Sequence, residues 1–120
     1  MALLNGKLSK KQGVIRLPLL LDLDDRPRQL VDFKNGKKAE TNWHVISQND
    51  THTRVHFYPI TGRTHQLRVH AAHKEGLNTP IKGDDLYGKK QDRLYLHAEF
   101  IEFTHPTSRN KISFTVPADF

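Results

Sequence analysis

From Thr53 to Tyr58 the chain alternates: Thr53, Val55 and Phe57 face one way, Arg54, His56 and Tyr58 the other. A period of two is that of a strand with one buried face. The preceding run TNWHVIS has the same character and is joined to it by the turn QNDT, so the two are expected to pair, with Trp43 and Val45 on the buried face. Asn35-Gly36 lies between two β-prone runs, QLVDF and KAETNWHVIS, and predicts another hairpin, because both residues tolerate positive φ. The period then changes. Leu67, Ala71 and Ala72, with Val69 beside them, sit at helical spacing and predict a helix over Thr64 to Glu75, with Thr64 as N-cap and Gly76 as the stop. RLYLHAEFIEFTHP predicts a long strand ended by Pro106, and KISFTVPADF alternates at Ile112, Phe114 and Val116. Pro80 to Tyr87 reads as a loop or short strand, and DLDDRPR (Asp22 to Arg28) is the most loop-like stretch. The expected fold class is α+β: a mixed, mainly antiparallel sheet with one clear helix.

At 120 residues the chain is one domain's worth or a piece of one, and with 36% hydrophobic residues it has enough apolar positions to bury a core. It contains no internal repeat or low-complexity tract. No apolar run approaches the roughly 20 residues of a membrane span, so no membrane partner is expected. The start, MALLNGKLSKK, is too short and polar for a secretory signal. There is no cysteine, which removes disulfides and thiolate metal sites and fits a reducing, cytoplasmic setting. The net charge of +6 favours a polyanion partner, chiefly nucleic acid, although ordinary solubility charge gives the same number. Lys7, Lys10, Lys11, Lys89, Lys90 and Arg93 either form a phosphate-tracking surface or are simply solvated.

The chemistry concentrates in PITGRTHQLRVHAAH, Pro59 to His73. His70 and His73 are one helical turn apart, a spacing zinc sites use. No carboxylate occupies a matching position, and the HExxH pattern is absent, so His65, His70 and His73 make a poor metal set and no metal is expected. An anion site is the other residue-level reading. Gly62 precedes a helix start, where free N–H groups favour negative charge, with Arg63 at the entrance and Arg68 one turn later. A planar guanidinium fork suits phosphate or carboxylate, but Arg63 can equally decorate the helix start.

The blocks TGRTHQLRVH, PIKGDDLYG, RLYLHAEFIEFTHP and FTVPADF, in this order, resemble the C-terminal half of the RluA-type pseudouridine synthases. GVIRLPLLLDLDDRPRQLV and GKKAETNWHVI extend the match upstream and resemble the branch acting on both ribosomal and transfer RNA. The resemblance implies isomerisation of uridine in structured RNA without metal or cofactor. A catalytic aspartate attacks a nucleotide flipped into the pocket, the glycosidic bond breaks, and the uracil turns and rejoins through carbon. It also implies that Arg63, by residue match, pairs with that aspartate. Thr64, His65, Gln66, Arg68, Leu96 and His97 are then the candidates for the RNA and uracil pocket. Each has a structural alternative: a helix cap for His65 and Gln66, an ion pair for Arg68, core packing for Leu94 and Leu96, a buried hydrogen bond for His97.

The sequence departs from the family in one large respect. The family's aspartate lies in an HRLD-type motif, and no such motif occurs here. Leu21-Asp22 and Leu23-Asp24 lack the preceding His-Arg, and Asp84 and Asp85 belong to the GDDLYG block. ALLNG resembles the residues that follow the family's active-site tyrosine, with Met1 opening the chain. The expectation is therefore that residues 1–120 form the C-terminal part of a synthase catalytic domain, inactive alone, and prone to self-association through the surface the other half would cover. A non-catalytic RNA-binding module of the same fold is the alternative. KEGLNTPIKGD, around Gly76 to Pro80, is about two residues longer than the family's usual loop.

Overall fold

The alternation between Thr41 and Phe57 builds the centre of the molecule. The computed structural model describes residues 1–104 and 111–120, the side chains of 100–114 excepted. In chain order the elements are β1 (Ala2–Leu4), β2 (Gln12–Arg16), β3 (Leu19–Leu21), β4 (Gln29–Val31), β5 (Glu40–Gln48), β6 (Thr53–Pro59), α1 (Gln66–Ala72), β7 (Phe100–Thr104) and β8 (Lys111–Thr115). β5 and β6 pair antiparallel as expected, with Trp43 opposite Phe57 and Val45 opposite Val55. Asn49 closes their turn by accepting from the Thr51 and His52 N–H groups. A bulge between Val45 and Ser47 interrupts the ladder at Ile46.

β1 and β2 complete a four-stranded sheet of order β1-β6-β5-β2. Its inner face carries Ala2, Leu4, Ile15, Trp43, Val55 and Phe57, which cluster with Ala71 of α1 and with Ile81. Two separate antiparallel pairs, β3-β4 and β7-β8, complete the α+β architecture.

Three expectations are corrected. The Asn35-Gly36 turn does not join paired strands: β4 pairs with β3, and Lys37 bridges the other side of β3 at Leu19. The turn is set by Asp32, whose carboxylate accepts from the N–H groups of Lys34 and Asn35 while its carbonyl accepts from Gly36. A Cβ at Gly36 would collide with that carbonyl, so glycine is needed there for close approach rather than for positive φ. The loop-like DLDDRPR instead connects β3 to β4, closed by Asp22 N–H to the Arg28 carbonyl at 2.9 Å.

The helix is shorter than its pattern suggests. It begins at Gln66, and its N-cap position is His65, not Thr64, with left-handed backbone (φ 55) and no side-chain cap. It ends at Ala72 because the following loop folds back: the N–H groups of Leu77 and Thr79 reach the carbonyls of His70 and Ala71, and those of Gly76 and Asn78 reach the His73 carbonyl. The long Gly76–Pro80 connection thus satisfies the helix C-terminus.

Nor is RLYLHAEFIEFTHP one strand. Among its described residues only Phe100–Thr104 is regular, and His105 and Pro106 lie outside the described residues. Leu94 to His97 run beside the chain start, with Leu3 N–H on the Tyr95 carbonyl (3.1 Å) and His97 N–H on the Met1 carbonyl (2.9 Å). Ile112 and Phe114 lie within the observed β8, paired with β7.

Candidate functional site

The turn between β6 and α1 carries Thr61-Gly62-Arg63-Thr64-His65, and Gln66 fixes its shape. The Gln66 side chain is buried and uses all of its hydrogen-bonding capacity. Its Oε1 accepts from Thr61 Oγ1 (2.7 Å) and from Arg63 N–H (3.1 Å). Its Nε2 donates to the Glu40 carbonyl and to Thr41 Oγ1, both at 2.9 Å. One amide therefore ties the turn to β5. The left-handed His65 lies just past Arg63, a conformation that costs a non-glycine residue about 1–2 kcal/mol and that the surrounding bonds must hold.

Behind Gln66 lies His70, fully buried. Its Nε2 is 3.0 Å from the Leu17 carbonyl, which can only accept, so Nε2 carries the proton. Burial pushes the imidazole pKa below its ordinary value, against the pull of that carbonyl, and the neutral ring then accepts at Nδ1 from Thr41 Oγ1 at 2.9 Å. The hydrogen bonds thus run in one direction, from Gln66 Nε2 to the Thr41 hydroxyl, to His70 and on to Leu17. His70 is unavailable to a metal. His73 faces another way, its Nδ1 accepting from Glu75 N–H at 3.0 Å. Among the described residues no group of three potential ligands converges.

Arg68 leaves the other side of α1. Its Nε and Nη2 grip both carboxylate oxygens of Asp84 (3.0 and 2.7 Å), and Nη2 also reaches Asp85 at 3.0 Å. Asp84 is completely buried, and its Oδ1 accepts from the N–H groups of Leu86 and Tyr87 as well. Burial alone would push the Asp84 carboxyl up; the Arg68 fork and the two N–H groups outweigh it and hold the pKa below the usual range. The same hydrogen bond to Asp84 raises the Arg68 pKa. Gly83 makes the approach possible, with φ 81 and no room for a Cβ against the Arg93 carbonyl. Tyr87, next to this pair, stacks against the guanidinium groups of Arg28 (5.4 Å) and Arg68 (5.5 Å). Its hydroxyl accepts from Gln29 N–H (2.8 Å) and lies 2.9 Å from His65 Nδ1. Burial, then the Arg68 charge, lowers the His65 pKa.

Arg63 differs. It is exposed, its Nε donates to the Lys38 carbonyl at 2.8 Å, and its terminal nitrogens have no carboxylate partner among the described residues. It stands between two cavities. One, of about 360 Å³, brings together Arg63, His65, Gln66, Arg68 and Leu96 with the apolar Leu67. The other, of about 510 Å³, lies against β3 and includes Thr64. A third, of about 500 Å³, shares Leu67 and Leu96 with the first; His97, Met1, His56 and Glu99 also border it. In it His56 Nε2 meets Glu99 at 2.8 Å, and His97 Nε2 donates to the Val116 carbonyl at 2.8 Å. The sequence pattern singled out neither the His56–Glu99 pair nor the Gln66 clamp. For Gln66 a signal existed: a polar residue one position before Leu67 on a helix that turns toward β5. For His56–Glu99, which joins residues 43 positions apart, none did.

A family model described as RNA pseudouridylate synthase matches residues 1–73. The dual-specificity RNA pseudouridine synthase RluA of Salmonella typhi is 43% identical over 121 residues, covering 96% of this chain and 54% of its own length. The protein of the same name from Pasteurella multocida is 44% identical over 126 residues, covering 99% and 56%. The chain thus spans about half the length of the curated relatives it matches. Among solved structures, human RNA pseudouridylate synthase domain containing 1 superposes with a TM-score of 0.83 at 27% identity, over 99% of this chain and 53% of that one.

Proposed function

The chain belongs to the RNA pseudouridylate synthase family, and on that premise we propose that residues 1–120 are the C-terminal, arginine-bearing part of a catalytic domain that converts uridine to pseudouridine in ribosomal or transfer RNA. The nucleophilic aspartate and the active-site tyrosine come, in this reading, from the half of the fold that this chain does not span. Arg63 holds that aspartate ionised and aimed. A planar fork suits the task, since it grips both oxygens of a carboxylate. Leu96 and Leu67 wall the space for the uracil ring. His65, Gln66 and Arg68 border the same cavity, Thr64 and His97 the flanking ones. The reaction needs no metal or cofactor, and the partner is structured RNA in the cytoplasm.

The observation that carries the reading is the state of Arg63. It is pinned through its backbone N–H and its Nε at the mouth of a cavity with apolar walls, and among the described residues its terminal nitrogens meet no carboxylate.

The chain alone is expected to form no pseudouridine, because covalent catalysis requires a positioned nucleophile. Incubation with bulk ribosomal and transfer RNA, followed by nucleoside analysis, tests this. Turnover abolished by Asp84→Asn or Asp85→Asn would assign the nucleophile to this chain and overturn the reading. The exposed apolar residues Val14, Ile46 and Tyr58, with the open edge of β6 beyond β1, support a further expectation: the isolated chain self-associates as a two-fold dimer. A concentration-independent monomer mass in sedimentation would count against it.

A further inference from the structure

Tyr87 joins three segments that lie far apart in the chain. Its own N–H is held by Asp84 Oδ1 at 3.1 Å, so the residue is fixed to α1 through the Arg68 fork on that carboxylate. The guanidinium groups of Arg28 and Arg68 lie against its ring. Its hydroxyl sits between the N–H of Gln29, at the start of β4 (2.8 Å), and His65 Nδ1 (2.9 Å). The chemistry of these groups sets the direction of each bond. A backbone N–H can only donate, so the phenol oxygen accepts from Gln29. Burial raises the Tyr87 pKa, so the hydroxyl keeps its proton, and among the described residues His65 Nδ1 is the acceptor within its reach. Nδ1 is then the unprotonated nitrogen of a neutral ring, in keeping with the lowered His65 pKa.

This bond ends on the residue with the strained backbone. His65 has φ 55 and follows Arg63 by two positions. The Gln66 amide holds the turn on its β5 side, through Thr61, Thr41 and the Glu40 carbonyl. That clamp includes neither the His65 side chain nor β4, and the Tyr87 hydroxyl holds both.

The geometry points to Tyr87 as a positioning residue of the synthase: its hydroxyl fastens His65, and with it the Arg63 turn, to β4, and so fixes where the Arg63 fork is aimed. This rests on the reading of Arg63 as the partner of a catalytic carboxylate and names the group that supports that arginine from the GDDLYG block. Tyr87 acts through His65 and not on the RNA. The charged groups facing His65 are Arg68 from α1 and Asp84 and Asp85 from the GDDLYG block, with Arg28 across the Tyr87 ring. An imidazolium has no lone pair at Nδ1 and cannot take the Tyr87 proton. The link is therefore intact above the folded pKa of His65, which lies below the ordinary value of about 6.5, and is lost as pH falls through it.

The test is a double-mutant cycle in a complete synthase that contains this segment, with turnover at saturating RNA and RNA affinity read separately. Tyr87→Phe keeps the ring and removes only the hydroxyl. It is expected to lower turnover about 10-fold or more and to change affinity by less than about twofold, because a misaimed catalytic group slows the chemical step. His65→Asn keeps a residue that tolerates left-handed backbone and should have the same effect. The double variant should be no slower than the slower single one. The wild-type loss of turnover on acidification should be absent from Tyr87→Phe. Additive losses, undiminished turnover in Tyr87→Phe, or an unaltered pH profile would each overturn the positioning role; Arg63→Lys, measured alongside, tests the synthase reading separately. A further readout needs no activity. In residues 1–120 alone, amide exchange at Arg63, Thr64 and His65 should be several-fold faster in Tyr87→Phe. It should be unchanged in Tyr95→Phe, whose hydroxyl meets the exposed Asp92 at 3.3 Å. Exchange in Tyr87→Phe equal to that of the wild type would contradict the proposal.

Discussion

Arg63 and Arg68 stand five positions apart in one segment, and the fold treats them in opposite ways. Arg68 is 15% exposed and lays its fork on a fully buried carboxylate. Its terminal nitrogen also reaches Asp85, and its face is covered by Tyr87. Its Nε and Nη2 are thus both filled from within the chain. Arg63 is anchored only at its stem, through its N–H and its Nε. The difference teaches how a short motif divides its labour: one guanidinium holds the GDDLYG block against α1, and the other is anchored at its stem, with no carboxylate on its terminal nitrogens among the described residues. A residue type repeated within a motif does not imply a repeated role.

Removing Arg68 should have the largest effect on stability. Arg68→Ala leaves the Asp84 carboxylate buried without its cation, which costs about 3–5 kcal/mol in such pairs. Urea denaturation should show the loss, and Arg63→Ala, at an exposed side chain with no ion-pair partner among the described residues, should change stability by less than about 0.5 kcal/mol. Equal losses in the two variants would erase the contrast.

Gln66→Ala comes next. It strands Thr41, Thr61 and the Arg63 N–H in a buried or half-buried setting, a cost of about 1–3 kcal/mol. Amide exchange should accelerate at Arg63 more than in β5 or β6. Uniform acceleration across the fold would mean that Gln66 supports the core in general rather than the turn.

The pH dependence sharpens the comparison further. His70 has a folded pKa below its unfolded value, so its contribution is complete above about pH 6.5 and is lost as pH falls through that value toward the folded pKa. Asp84 also titrates low in the folded state, so its contribution is complete above about pH 4 and is lost as pH falls further. Stability should therefore decline in two steps on acidification. His70→Asn should shrink the upper step, to which His65 also contributes, and Asp84→Asn the lower, to which Glu99 and Asp119 also contribute. A single step that both variants leave in place would contradict these assignments.

The sequence made some of this legible and hid the rest for identifiable reasons. β5 and β6 were readable because Trp43, Val45, Val55 and Phe57 alternate over a long run and QNDT carries turn chemistry. The β3–β4 pair was not, because its strands are three residues each and the charged DLDDRPR between them has no hairpin signature. Asn35-Gly36 drew the hairpin to the wrong place, since a local Asp32 turn uses the same residues. The helix start was misplaced because Thr64 has the right chemistry for a cap, but Gln66 supplies the bonds to the turn from inside the helix. Arg63 was legible through its motif. The networks that distinguish it from Arg68 join residues 16 to 29 positions apart, which no local pattern encodes.

The central claim is that Arg63 serves a catalytic carboxylate while Arg68 serves the fold. The most direct measurement is made in a complete synthase that contains this segment, comparing turnover at saturating RNA with RNA affinity for Arg63→Lys. The account predicts that turnover falls by about 100-fold or more while affinity changes by less than about threefold, because a point charge cannot aim the nucleophile as a fork does. Weakened affinity with undiminished turnover at saturation would make Arg63 a phosphate contact and contradict the account.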